Sequence, residues 1–134
     1  MKYKQDFITN SSSTSFVGWG VSFYGSDFRG EKELLSNAYN KYMEIKDEKI
    51  TIEEFLGMGN YEIREAIFEL FPYKSLLEIT GGPDGKNLMI AGPVSGLKDD
   101  QTLGEYKSQI ISELAKIGIH VAQLELIEEA WYNW

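Results

Sequence analysis

Phe16-Val-Gly-Trp-Gly-Val-Ser-Phe-Tyr24 is the stretch on which the fold turns. Its residues alternate in steps of two: Val17, Trp19, Val21 and Phe23 fall on one face, and Gly18, Gly20 and Ser22 on the other. A period of two is the repeat of a β-strand, whose successive side chains leave opposite sides of the pleat. One face of this strand is heavy and the other nearly bare. Gly25-Ser26-Asp27 ends it as a turn.

Downstream the period changes. Leu34, Leu35, Ala38, Tyr42 and Ile45 recur at helical spacing over residues 31–46, until the charged run Lys46-Asp-Glu-Lys49 interrupts them. Thr51-Ile-Glu-Glu54 is a capping box, in which hydroxyl and carboxylate satisfy orphan amides at a helix start. Gly57 and Gly59 keep that helix short. A third helix follows from Asn60, with Ile63, Ala66, Ile67, Leu70 and Phe71 on one stripe and Pro72 as its stop.

Two short apolar runs come next, Leu76–Thr80 and Asn87–Ala91, joined by Gly81-Gly-Pro-Asp-Gly-Lys86. Pro presets φ and Gly permits a positive φ, so the pair reads as a hairpin. Thr102-Leu-Gly-Glu105 is a second capping box, with Asp99 and Asp100 near the helix N-terminus. Leu103, Tyr106, Ile110, Leu114 and Ile117 form the inner face of that helix, and Gly118 ends it. Ile119 to Ile127 reads as the last strand, with Ala122, Leu124 and Leu126 facing one way. The order β-α-β-β-α-β predicts an α+β domain of ferredoxin-like type. Its four-stranded antiparallel sheet would carry helices on one face and an enlarged first helical crossover.

At 134 residues the chain is the size of one domain, large enough to bury a core without disulfides or a structural metal. Zero Cys removes thiolate catalysis, Fe–S clusters and Cys-based zinc sites, and a single His leaves no multi-His metal site. The formal charge is −8, from 13 Lys plus Arg against 21 Asp plus Glu. It is unevenly spread: residues 31–70 hold ten acids and five bases, and residues 98–134 seven acids and three bases. Tracking phosphates needs clustered bases, and none are present, so the sequence argues against direct nucleic-acid binding. No run approaches the ~18 apolar residues of a membrane span. Lys2 and Lys4 are followed by a hydroxyl-rich run rather than an apolar segment, which points to a cytoplasmic chain.

That hydroxyl-rich run belongs to Asp6-Phe-Ile-Thr-Asn-Ser-Ser-Ser-Thr-Ser-Phe16. It resembles an N-terminal segment, Phe-(Val/Ile)-(Thr/Ser)-Asn-Ser-Ser-Ser-x-Ser-Phe, of many small uncharacterised proteins of Firmicute bacteria and their phages. The resemblance covers about eleven residues and implies a bacterial or phage origin. It brings no activity and no catalytic residue. Read physically, residues 1–15 form a flexible Ser/Thr-rich arm and residues 16–134 a single domain.

Other motifs reduce to structural readings. A P-loop needs Gly, four residues, then Gly-Lys-Ser/Thr; here Thr80 stands at the first Gly position and Asn87 replaces the hydroxyl residue. His120 has no spacing that brings it a nucleophile and an orienting carboxylate. Asp99-Asp100 and Glu128-Glu129 lack the loop spacing of a cation site. No catalytic residue, metal ligand or cofactor is therefore assigned.

Glu128-Glu-Ala-Trp-Tyr-Asn-Trp134 stands apart. Trp131, Tyr132 and Trp134 beside Glu128 and Glu129 suit a surface that docks a protein partner or a second copy, since Trp and Tyr are favoured interface anchors. The expected function is a non-enzymatic interaction or oligomerisation module. A small-molecule-binding regulatory domain using Gly18, Gly20 and Ser22 is the second reading. An acidic mimic of nucleic acid is the third, and an enzyme using His120 and carboxylates the last.

Overall fold

A computed structural model describes residues 13–72, 74–81 and 87–132. It is an α+β fold of four strands and four helices: β1 (Ser13–Tyr24), α1 (Lys32–Lys46), α2 (Ile52–Leu56), α3 (Asn60–Phe68), β2 (Glu78–Thr80), β3 (Asn87–Pro93), α4 (Leu103–Ile117) and β4 (Glu125–Tyr132). Single 3-10 turns occupy Asp27–Gly30 and Val94–Gly96. The strands form one open antiparallel sheet in the order β2-β3-β1-β4.

The heavy face of β1 meets the helices. Val21 pairs with Ile90, and both pack into a core with Leu34 and Ala38 of α1, Phe55 of α2, Ile63 and Ile67 of α3, and Ile110 and Leu114 of α4. Both capping boxes form: the Thr51 and Thr102 hydroxyls accept from the amides of Glu54 and Glu105, whose carboxylates accept from the threonine amides in return. Gly118 ends α4 at φ 104°, where a Cβ would stand 2.7 Å from the Leu34 amide nitrogen. Only glycine accepts both that dihedral and that proximity.

Three expectations need correction. The stripe of α3 stops being helical at Phe68 rather than Phe71, because Leu70 and Phe71 bond back three residues and tighten the exit. The face of β1 bearing Gly18, Gly20 and Ser22 is not bare once its neighbours are in place. Phe16 of the same strand, Met89 and Ala91 of β3 and Ile127 of β4 form a second buried cluster on it. Met89 is 2% exposed and Ala91 fully buried.

The last strand differs most. It begins at Glu125, six residues later than expected, and runs on to Tyr132. Ile127 is buried and Leu126 is 56% exposed, the reverse of the expected facing. Residues 119–124 are an irregular connection in which Ile119 still reaches the core. The predicted hairpin is an antiparallel β2–β3 pair, Thr80 opposite Met89, and its turn at 82–86 lies outside the described residues.

The enlarged crossover is held by two arginines that periodicity did not single out. Arg29 donates from Nε to Asn60 Oδ1 at 2.8 Å, and from its two Nη atoms to the carbonyls of Leu56 and Met58 at 2.7 Å each. It thereby closes the end of α2 and sets the start of α3. Arg64 Nη2 donates to the Gly25 carbonyl at 3.0 Å, and both guanidinium groups lie over the Phe28 ring.

Candidate interaction surface

The acidic-aromatic end of the chain is an edge strand. β4 pairs with β1 from Ser13–Tyr132 through to Gly20–Glu125, and among the described residues it has no strand on its other side. Its backbone at Glu128, Glu129, Trp131 and Tyr132 is therefore part of the sheet; Trp134 lies outside the described residues. Glu125, Leu126 and Glu128 are exposed. Eight residues of edge present a row of outward amides and carbonyls, since alternate residues of an antiparallel strand point these groups away from their one neighbour.

The β1–β4 pair also outruns the rest of the sheet. β3 leaves β1 at the Gly18–Pro93 pair, and five further pairs, Val17–Glu128 to Ser13–Tyr132, continue as a two-stranded ribbon. That ribbon is roughly 17 Å long at the rise of a strand. At its root Phe16, Val17, Glu78, Pro93, Val94 and Ser95 line a shallow concavity of about 590 Å3. Val17 and Val94 are both exposed there. The strand also takes in Ser13–Ser15, which the sequence placed in the arm; residues 1–12 lie outside the described residues.

A hydroxyl on α4 binds the last residue of β3. Tyr106 Oη donates to the Pro93 carbonyl at 2.6 Å, and its ring meets Trp19 edge-on with centroids 6.2 Å apart. Burial, with a smaller contribution from the Glu78 charge, pushes the Tyr106 phenol above its ordinary value. Gly96 makes room for this side chain, since a Cβ there would collide with Tyr106 Oη, and Gly92 makes room chiefly for Ile110, whose Cδ1 would stand 2.6 Å from a Cβ at that position. Tyr106 thus anchors the point where β3 departs and the ribbon begins.

The glycines of β1 have a structural use. A Cβ on Gly18 would stand 2.5 Å from the Gly92 carbonyl oxygen, and one on Gly20 would collide with the Ile90 carbonyl oxygen. The backbone that approaches them is β3. Ser22 Oγ donates to Glu125 Oε1 at 3.1 Å and ties β1 to β4 across the same face. Gly18, Gly20 and Ser22 are thereby accounted for by strand packing.

The remaining sequence candidates stay separate. His120 Nε2 lies 3.1 Å from both Glu33 carboxylate oxygens, an exposed contact that joins the end of α4 to the start of α1. Neither residue lines the clefts described in this protein. Asp99 and Asp100 are exposed in the turn from Lys98 to Gln101, ahead of the Thr102 cap. Among the described residues no group of three or more His, Asp or Glu is placed to hold a metal. In that same set no helix is long and apolar enough to cross a membrane.

Periodicity misplaced the limits of β4 because its strand signal is weak: Leu126-Ile-Glu-Glu-Ala-Trp-Tyr132 alternates imperfectly and carries two acids. The high β-propensity of Ile, Trp and Tyr was the available signal. Comparison of the chain with protein-family models, with curated proteins and with solved structures gives no match.

Proposed function

We propose that this chain is a non-enzymatic protein-interaction module that accepts an extended segment of a partner on the outer edge of β4. The observation that carries the reading is the unpaired eight-residue edge. Strand addition uses such a row of main-chain groups for affinity and alternate side-chain positions for specificity. Exposed Leu126 and the aromatic positions Trp131 and Tyr132 supply anchors along it. The acidic residues Glu125, Glu128 and Glu129 work against two copies pairing here, because like charges would meet across the pair. They favour a partner strand that carries bases.

The finer fold reading we adopt is ferredoxin-like, with α1–α3 as the enlarged first crossover. The strand order β2-β3-β1-β4 and its antiparallel neighbours support it. The resemblance of residues 6–16 to segments of Firmicute and phage proteins supports a bacterial or phage cytoplasm as the setting.

The test is quantitative capture from a bacterial lysate on the immobilised full chain, compared with two edge variants. One lacks residues 130–134; the other is Leu126→Lys, at an exposed position. Proteins enriched by the full chain should be lost with both variants while circular dichroism stays native. Equal capture by all three forms sinks the reading.

A further inference from the structure

α1 and α3 leave between their outer flanks a cleft of about 320 Å3. Tyr42 and Ile45 of α1 line one side, and Tyr61 and Ala66 of α3 the other. Tyr61 is 74% exposed and Ile45 50%, although Ile45 recurs at helical spacing with the apolar residues of α1. The cleft therefore keeps an aromatic and aliphatic lining in contact with water, a feature that marks interaction surfaces.

Glu62, Glu65 and Glu69 stand along the α3 side of this cleft, at i, i+3 and i+7. That spacing places them on one helix flank, where like charges three and four residues apart repel. Glu69 also caps the C-terminal end of α3, the end at which the helix dipole disfavours a carboxylate. Among the described residues none of the three is in an ion pair, and neither is Lys46, which lines the end of the cleft. The base within α3, Arg64, is turned the other way, toward the Gly25 carbonyl and the Phe28 ring. An apolar cleft with a row of carboxylates on one lip, none in an ion pair among the described residues, is complementary to a helix with an apolar face and a basic flank.

We propose that the α1–α3 cleft docks a basic amphipathic helix of a protein partner. Apolar side chains of that helix lie against Tyr42, Ile45 and Tyr61, and its Lys or Arg residues, spaced i, i+4 and i+7, stand opposite Glu62, Glu65 and Glu69. The seven-residue span of the carboxylates is about 10.5 Å at the rise of a helix, so a partner helix of equal pitch keeps the register. The site shares no residue with β4, and it stands or falls independently of strand addition there.

The experiment is fluorescence anisotropy with the full chain and a labelled synthetic helix of roughly 14 residues, about four turns, with Leu on one face and Lys on the other. A control peptide carries Glu in place of Lys. The basic peptide should bind and the acidic one should not, and affinity should fall as salt rises. Glu62→Gln/Glu65→Gln/Glu69→Gln should weaken binding about tenfold or more, and Tyr61→Ala about threefold, whereas Leu126→Lys should leave it unchanged. Thermal melts report folding, and if the triple variant melts early the single Glu65→Gln variant and the salt dependence decide. Absence of binding, equal binding of both peptides, or wild-type affinity in the carboxylate variants overturns the proposal. Displacement of the peptide by equimolar spermidine also overturns it, because the cleft would then take a free polyamine rather than a protein segment.

Discussion

The two edges of the sheet are built on opposite plans. β2 is three residues long, and its outward row of amides and carbonyls is correspondingly short. β4 is eight residues long, and exposed acidic side chains along it, Glu125 and Glu128, take the place of brevity. Both devices suppress uncontrolled strand pairing, yet only the second leaves a full template for a chosen partner. The difference shows that edge protection and edge recognition can reside in the same residues: carboxylates that repel a second copy select a basic strand.

The largest expected effect separates the edges by their part in the core. Ile127 of β4 is buried with Phe16, Met89 and Ala91, whereas Ile79 of β2 is only partly buried against the main core. Ile127→Ala should cost about 2–4 kcal/mol and Ile79→Ala clearly less, as read by urea denaturation. Equal losses would mean that β4 is no more embedded than β2, and the contrast would fail.

A smaller effect is expected where β3 ends and the β4 ribbon begins. Tyr106→Phe deletes the hydrogen bond to the Pro93 carbonyl and should cost about 1 kcal/mol. Its pH signature has a definite sign. The folded phenol titrates above the ordinary value of 10.0, so the unfolded chain loses its proton first as pH rises. The contribution of Tyr106 is fully present below pH 10.0 and declines above it, toward the raised folded value. Stability measured across that alkaline window should fall less steeply in the Phe variant; an unchanged slope would remove Tyr106 from this role.

The smallest effect concerns the helix that leads the chain toward β4. Thr102→Ala breaks the capping box of α4 and should cost about 0.5 kcal/mol by thermal melting, the low end of the capping range. Glu105 in that box is held below the usual carboxylate value of 4.5, first by its bond to the Thr102 backbone and then by the one to the side chain. Its contribution is present above pH 4.5 and is lost as pH falls through the lowered folded value. The wild type should therefore show an acid-side loss that Thr102→Ala diminishes, and identical acid profiles would contradict this account.

Much of the architecture was legible without coordinates. Alternation identified β1, helical spacing identified α1, α3 and α4, and Thr51 and Thr102 announced the two helix starts, all from interactions within about four residues of each other. Local chemistry of that kind is written in adjacent residues and survives folding. The limits of β4 were not legible, because an edge strand is defined by which strand it joins. Glu128 and Trp131 belong to a sheet only by pairing with Val17 and Thr14, more than a hundred residues away.

The candidate sites divide in the same manner. The sequence singled out the acidic-aromatic end as unusual, and that concentration of Glu, Trp and Tyr is a property of composition alone. It also marked Gly18 and Gly20, but their use, admitting the β3 backbone, depends on a neighbour that no local pattern names. Arg29, Arg64 and the α1–α3 cleft escaped notice altogether, since each joins side chains to groups distant in sequence. By itself the sequence determined β1, the helices and their caps, what the chain cannot do with cysteine or clustered histidine, and where its charge lies. Tertiary structure alone decided which strand became an open edge and which carboxylates came to line an apolar cleft. The reason is physical: hydrogen bonding and hydrophobic periodicity act over a turn or a pleat, whereas edges and clefts exist only once distant segments have packed.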